Sequence, residues 1–178
     1  MFNNNLVAEE FDHLRDVVFL NASLVIIPPK SVQDVYFGFT KNYIENFAED
    51  LIPKAWEMVE ETRKKIAKLI GAKPSEIAFV KNTTEGIGII ANGYPLEKGD
   101  NIVLADQEHT ANLYAWINLQ QKGIELRVVR SNENKVLIED ILEKIDENTK
   151  IITTSAVQYS TGYRTDLEKL GSICKEQN

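Results

Sequence analysis

The chain has 178 residues, of which 43% are hydrophobic and 26% charged, and its formal net charge is -7 at pH 7. These values are typical of a soluble globular protein with a real core. The acidic balance, without a basic stripe of Lys and Arg, argues against a nucleic-acid partner. The sequence contains neither an apolar run long enough for a membrane span nor a signal peptide, so we expect a cytoplasmic protein.

The first 48 residues predict an N-terminal arm followed by a helical segment. A short apolar run predicts a strand over residues 16–21, and a stretch rich in Tyr and Phe predicts a helix over residues 31–47. A second, longer helix is predicted over residues 48–70, because its apolar side chains recur at helical spacing and Gly71 is a natural stop. We place a domain boundary here, with residues 1–48 before it and residues 49–178 after it.

From residue 77 onward, apolar runs alternate with helical patterns. Strands are predicted over residues 77–80, 101–105, 124–129 and 150–157. Helices are predicted over residues 83–91, 110–121 and 138–145, with a last helix capped by Asp166. Strands separated by helices indicate βαβ units, so the predicted fold is α/β, with a predominantly parallel sheet and helices on both faces. Such a fold continues from a helix into another strand, and we therefore expect this sequence to be a fragment of a longer protein.

The segment Asn82-Thr83-Thr84-Glu85-Gly86 follows a predicted strand and opens a predicted helix. The first turn of a helix offers unpaired N–H groups and a partial positive charge, which suit a phosphate, and the two threonines add hydroxyl donors. The segment lacks the third glycine of a dinucleotide fingerprint and the Gly-Lys-Ser/Thr of a P-loop. An ordinary capped helix would use the same residues, so both interpretations remain open.

Two further loops follow predicted strands, over residues 106–112 and 157–162, and open α/β sheets bind ligands at such strand ends. The first of these loops contains His109, which could stack on a ring or move a proton, or could simply precede its helix at the surface. No cluster of His, Cys and Asp has metal-ligand spacing, so no metal site is predicted. The lone cysteine, Cys174, fits a reducing compartment, and its amphipathic surroundings predict a buried side chain.

Four segments together resemble one family. Residues 82–86 resemble its Asn-Thr-Thr-Glu-Gly phosphate loop, residues 108–112 its Glu-His-x-x-Asn segment, and residues 155–167 its third signature with a Thr-Gly turn before Asp-Leu. Residues 19–23 are similar to its N-terminal strand and loop. The chain thus resembles the class V aminotransferases, the cysteine desulfurase-like branch of the fold type I enzymes that use pyridoxal phosphate, over nearly its whole length and in the same order.

The resemblance implies a pyridoxal 5'-phosphate site in an incomplete large domain of this fold. Thr83 and Thr84 would hold the phosphate, and His109 would lie over the pyridine ring and act in proton transfer. Gln158 or Tyr159 would lie beside the ring hydroxyl. The substrate side would be formed by Asn21, Ala22 and Ser23. The loop at residues 156–159 departs from the His-Val-x-Asn of desulfurases, so the resemblance leaves open whether the enzyme is a desulfurase, transaminase, lyase or epimerase.

By the same resemblance, the full-length enzyme would be a homodimeric transferase or lyase that acts on an amino acid through an aldimine. The family's Schiff-base lysine follows a histidine, and this sequence contains no His-Lys pair. We therefore expect this chain alone to be inactive and, through apolar patches at residues 35–47 and 167–174, to associate. The alternatives are a non-catalytic α/β protein that binds a phosphate ligand or serves assembly and, with weaker support, a nucleotide-binding α/β domain.

Overall fold

A computed structural model describes residues 4–14, 16–23, 25–46 and 51–177. The chain forms two compact units, Met1–Phe79 and Val80–Asn178. The domain boundary that we place near residue 48 stays a prediction.

The first unit is helical in its described part. It contains α1 (Asn4–Glu10), α2 (Lys30–Glu45) and α3 (Leu51–Ile70), with 3₁₀ turns at Asp12–Leu14 and Pro74–Glu76. Gly71, at a φ of 72°, ends α3 as predicted. The two predicted helices are confirmed where residues are described, while residues 47–50 lie outside that part. The strand predicted over residues 16–21 is wrong, because this segment is irregular and its Val18 and Leu20 are more than four-fifths exposed.

The strand predicted over residues 77–80 is also wrong, since this segment pairs with no strand among the described residues. The guanidinium of Arg63 donates a hydrogen bond to the Ile77 carbonyl and lies 4.9 Å from the centre of the Phe79 ring. A carbonyl oxygen that accepts a hydrogen bond from a side chain is less available to accept one from a neighbouring strand. An apolar run of four residues predicts a strand only where a partner strand is available.

The second unit is built on a three-stranded parallel sheet. Its strands are β1 (Asn101–Ala105), β2 (Glu125–Val129) and β3 (Thr149–Thr153), arranged in the order β2-β1-β3. All five residues of the central strand β1 are buried, as expected for a parallel strand that helices cover on both faces. The three predicted strands are confirmed as mutually parallel, although β3 ends four residues before the predicted limit.

Four helices accompany the sheet: α4 (Thr83–Gly93), α5 (Thr110–Ile117), α6 (Ile138–Leu142) and α7 (Leu167–Gln177). A 3₁₀ turn, Asn118–Lys122, extends α5 to Gly123, whose φ of 84° ends the helix as predicted. The predicted cap of the last helix is confirmed, because the Lys169 N–H donates to Asp166 Oδ1 at 3.0 Å.

Neighbouring residues of β1 face opposite sides of the sheet and anchor two apolar clusters. Ile102 packs with Trp116 and Leu119, next to Ala91 of α4. Val103 lies in the other cluster, whose remaining buried members are Ala105, Val129, Val136, Ile138, Ile141 and Leu170. Helices therefore cover both faces of the sheet, as predicted.

The last helix differs from two expectations. Leu170 is buried and Ile173 packs against the buried cluster of this face, so of the apolar patch expected at residues 167–174 only Leu167 and Cys174 remain exposed. Cys174 is exposed rather than buried, because it lies off this packed face. On α2, by contrast, Tyr36, Phe37 and other apolar side chains are exposed. None of the described helices is both long and apolar enough to cross a membrane.

Candidate functional site

A cleft of about 660 Å³ opens beside the carboxyl ends of β1 and β3, which are neighbours in the sheet. It is lined by Asn82, Thr83, Thr84, Ile87, His109, Ala111, Asn112, Thr153, Thr154 and Ser155. These residues come from three separate segments, of which the first does not follow a strand. The third segment, residues 153–155, precedes the loop predicted at residues 157–162, and neither Gln158 nor Tyr159 is among the lining residues. None of the ten lining residues carries a formal charge when His109 is neutral, so the polarity of the cleft comes from amide, hydroxyl and backbone groups.

The N-terminus of α4 supplies one end of the cleft. Asn82 caps the helix, because its Oδ1 accepts the Glu85 N–H at 2.9 Å. The Glu85 carboxylate in turn accepts the Lys81 N–H at 2.6 Å. Among the described residues, nothing accepts a hydrogen bond from the N–H or hydroxyl groups of Thr83 and Thr84. Four donors and the positive end of the helix dipole are thus available at this end of the cleft.

His109 caps α5 with its imidazole ring. Its Nδ1 accepts the Ala111 N–H at 3.1 Å, so the neutral ring carries its proton on Nε2. The Tyr159 ring contacts the imidazole edge-on, with centroids 5.1 Å apart and planes at 81°. The His109 ring is therefore held from two sides, by its own helix and by the loop after β3.

The sequence leaves open whether Gln158 or Tyr159 would lie beside the ring hydroxyl of the cofactor. The two residues occupy different environments. The Tyr159 ring is half-exposed and lies against His109. The Gln158 side chain is only 1% exposed and donates to Glu108 Oε1 at 2.6 Å. The three residues assigned to the substrate side, Asn21, Ala22 and Ser23, are exposed in the first compact unit, and their role stays a prediction.

The loop that carries these two residues is folded on itself. The Gln158 N–H donates to the Tyr163 carbonyl at 2.9 Å, and the Gly162 N–H donates to the Gln158 carbonyl at 2.8 Å. Gly162 has a φ of 72°, a left-handed conformation that side chains with a Cβ rarely adopt. The Thr-Gly sequence thus forms the tight turn that carries Tyr159 to His109.

Behind the cleft lies a buried carboxylate whose role sequence reasoning does not identify. Glu108 is 7% exposed, and its two oxygens accept hydrogen bonds from Asn112, Ser155 and Gln158. Asn112 is also buried, and its Oδ1 accepts from Trp116 Nε1 and from Thr153 Oγ1. The available signal is the four-residue spacing of Glu108 and Asn112 around a helix start, which places both side chains on one face.

Comparison with known proteins agrees with this architecture. The family model described as aminotransferase class-V matches residues 28–178. A probable cysteine desulfurase of Methanothermobacter thermautotrophicus is 32% identical over 96% of this chain and 44% of its own length.

Solved structures are also similar. An apo cysteine desulfurase from Thermococcus onnurineus NA1 has a TM-score of 0.83 at 25% identity, over 99% of this chain and 46% of that one. A C-DES mutant with glycine covalently linked to its PLP cofactor has a TM-score of 0.85 at 20% identity, over 95% of this chain and 46% of that one. The chain spans less than half the length of these proteins, and its match to the family model over most of its residues shows that it belongs to the class V aminotransferase family.

Proposed function

We propose that this chain forms the phosphate-binding and ring-facing half of a pyridoxal 5'-phosphate site in an enzyme that acts on an amino acid. One observation carries the proposal: the unused donors of Thr83 and Thr84 open onto the same cleft as the imidazole of His109. Family membership supports it. The whole enzyme would be a cytoplasmic homodimer, and the names of the similar proteins favour cleavage of a carbon–sulfur bond in cysteine.

The helix end fits the phosphate group of the cofactor. Thr83 and Thr84 offer two backbone N–H groups and two hydroxyls without protein acceptors among the described residues. Hydrogen bonds to an anion are about twice as strong as those between neutral groups, and the helix dipole adds to them. None of the lining residues is Asp or Glu, so no carboxylate in the cleft wall repels the phosphate. These residues would therefore hold the group without a lysine or an arginine.

The imidazole of His109 would face the pyridine ring. The Ala111 N–H and the Tyr159 ring fix the plane of the imidazole, which prepares it for stacking. Because Nδ1 accepts the Ala111 N–H, the neutral ring offers its Nε2–H as a hydrogen-bond donor, and taking up a proton would require Nδ1 to release that contact. Tyr159, whose ring contacts the imidazole, would be the residue of its loop nearer the ligand, whereas the Gln158 side chain is buried against Glu108.

The cofactor, when bound, supplies the electron sink that makes amino-acid chemistry possible, while the protein binds and orients it. The sequence contains no His-Lys pair, so we infer that this chain holds the ligand non-covalently and does not turn over substrate by itself.

Isothermal titration calorimetry with pyridoxamine 5'-phosphate tests the proposal. This compound has an amine in place of the aldehyde and cannot condense with surface lysines. Pyridoxamine without phosphate measures the contribution of the phosphate group. The double variant Thr83→Val/Thr84→Val removes both hydroxyls and keeps the shape of the side chains.

We expect the double variant to bind pyridoxamine 5'-phosphate about tenfold or more weakly, because hydrogen bonds to charged groups contribute about 1.5–3 kcal/mol each. The matched control is Thr40→Val on the exposed surface of α2, whose hydroxyl bonds only to the Tyr36 carbonyl of its own helix. Equal affinity of the double variant and the wild type, or equal affinity for the ligand with and without phosphate, would contradict the proposal.

A further inference from the structure

Glu108 is a buried acid at the centre of the second unit that the proposed ligand contacts do not use. Its Oε1 accepts the Ser155 N–H at 2.8 Å and Gln158 Nε2 at 2.6 Å. Its Oε2 accepts Asn112 Nδ2 at 2.9 Å and the Ser155 hydroxyl at 2.7 Å. No Lys or Arg among the described residues pairs with it. Four neutral donors therefore compensate the buried charge, and each would be left unpaired without it.

These four bonds join segments that are far apart in the sequence. Glu108 lies 47 residues before Ser155 and 50 residues before Gln158. Asn112 and Ser155 line the cleft, while Glu108 does not. The carboxylate thus lies one layer behind the cleft wall and holds two of its residues, together with the loop that carries Tyr159.

The bonds also determine which way the Gln158 amide faces. Nε2 must point to the carboxylate, because Oε1 in its place would face another acceptor. Gln158 Oε1 is consequently left buried without a hydrogen-bond donor among the described residues.

From these contacts we infer that Glu108 is a positioning residue: its carboxylate holds the loop after β3 against α5 and so sets the cleft for its ligand. The inference rests on the proposed function for the identity of that ligand. The positioning itself depends on the Glu108 oxygen that accepts from Ser155 N–H and Gln158 Nε2. This requirement can be tested by moving the negative charge from position 108 to position 112.

In Glu108→Gln, either orientation of the new amide places its NH₂ against a donor that cannot turn away. On one side this donor is the Ser155 backbone N–H. On the other side it is Asn112 Nδ2, because Trp116 and Thr153 donate to Asn112 Oδ1 and oppose a flip. Adding Asn112→Asp changes the second donor to an acceptor, and the new carboxylate keeps accepting from Trp116 and Thr153. The double variant Glu108→Gln/Asn112→Asp therefore restores the pattern at unchanged net charge.

The experiment combines amide hydrogen exchange by NMR with calorimetric titration of pyridoxamine 5'-phosphate into the 178-residue chain. In Glu108→Gln we expect the Ser155 and Gln158 amides to exchange roughly tenfold faster and the ligand affinity to fall roughly tenfold, as for the loss of one charged hydrogen bond. The β1 amides should keep their protection. Asn112→Asp alone should loosen the loop as well, since two carboxylates then face each other, and the double variant should recover the loop protection. Its ligand affinity should stay low, because Asn112→Asp adds a carboxylate to the cleft wall.

Two results would overturn the inference. One is unchanged loop exchange and affinity in Glu108→Gln. The other is a uniform loss of protection in β1, β2 and the loop, which would mean that Glu108 only stabilises the fold. If the wild type binds no pyridoxamine 5'-phosphate, the proposed function fails, while exchange at Ser155 still decides whether Glu108 holds the loop.

Discussion

Substitutions of Asn82 should change the stability of α4 and the affinity of its N-terminus for an anion independently of each other. Its Oδ1 accepts the Glu85 N–H at 2.9 Å, and its backbone precedes the free donors of Thr83 and Thr84. Asn82→Ala removes the cap, whereas Asn82→Asp keeps an acceptor in the same place and adds a negative charge. The two variants should therefore have opposite effects on folding and on binding.

The magnitudes follow from the contacts. Loss of an N-cap side chain costs about 1 kcal/mol, so Asn82→Ala should destabilise the protein by that amount. Asn82→Asp should be as stable as the wild type, because Asp caps as well as Asn and interacts favourably with the helix dipole. A phosphate would be repelled, since two unit charges 4 Å apart interact by about 1 to 4 kcal/mol between bulk water and a protein surface. Affinity should fall about tenfold or more.

Urea unfolding followed by circular dichroism gives the stabilities, and calorimetry with pyridoxamine 5'-phosphate gives the affinities. We expect Asn82→Ala to unfold at lower urea and to retain most of its affinity, and Asn82→Asp to show the reverse. If Asn82→Asp binds the ligand as tightly as the wild type, the phosphate does not lie at this helix end, and the reasoning about Thr83 and Thr84 is refuted.

Three further predictions concern folding and covalent chemistry. Gly123→Ala should lower the free energy of unfolding by about 1–2 kcal/mol, because the left-handed conformation disfavours a Cβ, which would also lie 2.7 Å from Lys98 Cγ. The control is Gly88→Ala, inside α4 with open space around it. In the same urea titration this variant should be neutral or stabilising. The hydrogen bond from Arg127 lowers the pKa of Asp146, so this carboxylate stabilises the fold at neutral pH and the contribution is lost as the pH falls through the lowered pKa. The difference in urea midpoint between the wild type and Asp146→Asn should therefore be constant at neutral pH. It should shrink toward zero below about pH 4, the unperturbed pKa of an aspartate. A difference that stays constant down to acid pH would contradict the ion pair. Borohydride reduction with pyridoxal 5'-phosphate should spread label over several lysines, and peptide mapping that finds one lysine labelled stoichiometrically would falsify the inference that this chain binds its ligand non-covalently.

Local chemistry determined much of this fold from the sequence alone. Helix ends are set within one turn of chain, so Gly71, Asn82, Gly123 and Asp166 could each be assigned to a cap or stop without a partner elsewhere. The apolar run at residues 102–105 likewise predicted the strand β1, because a short apolar run between turn residues is typical of a strand in the core of a sheet.

Tertiary structure decided what depends on distant partners. Residues 77–80 are apolar enough for a strand, but the Ile77 carbonyl bonds to Arg63 instead. The separation of Tyr159 from Gln158 follows from a carboxylate 50 residues earlier in the chain, which draws the Gln158 amide inward. The exposure of Cys174 depends on which face of α7 packs on the sheet. Periodicity and capping report only on neighbours along the chain, whereas a buried charge and a strand ladder take their partners from wherever the fold places them.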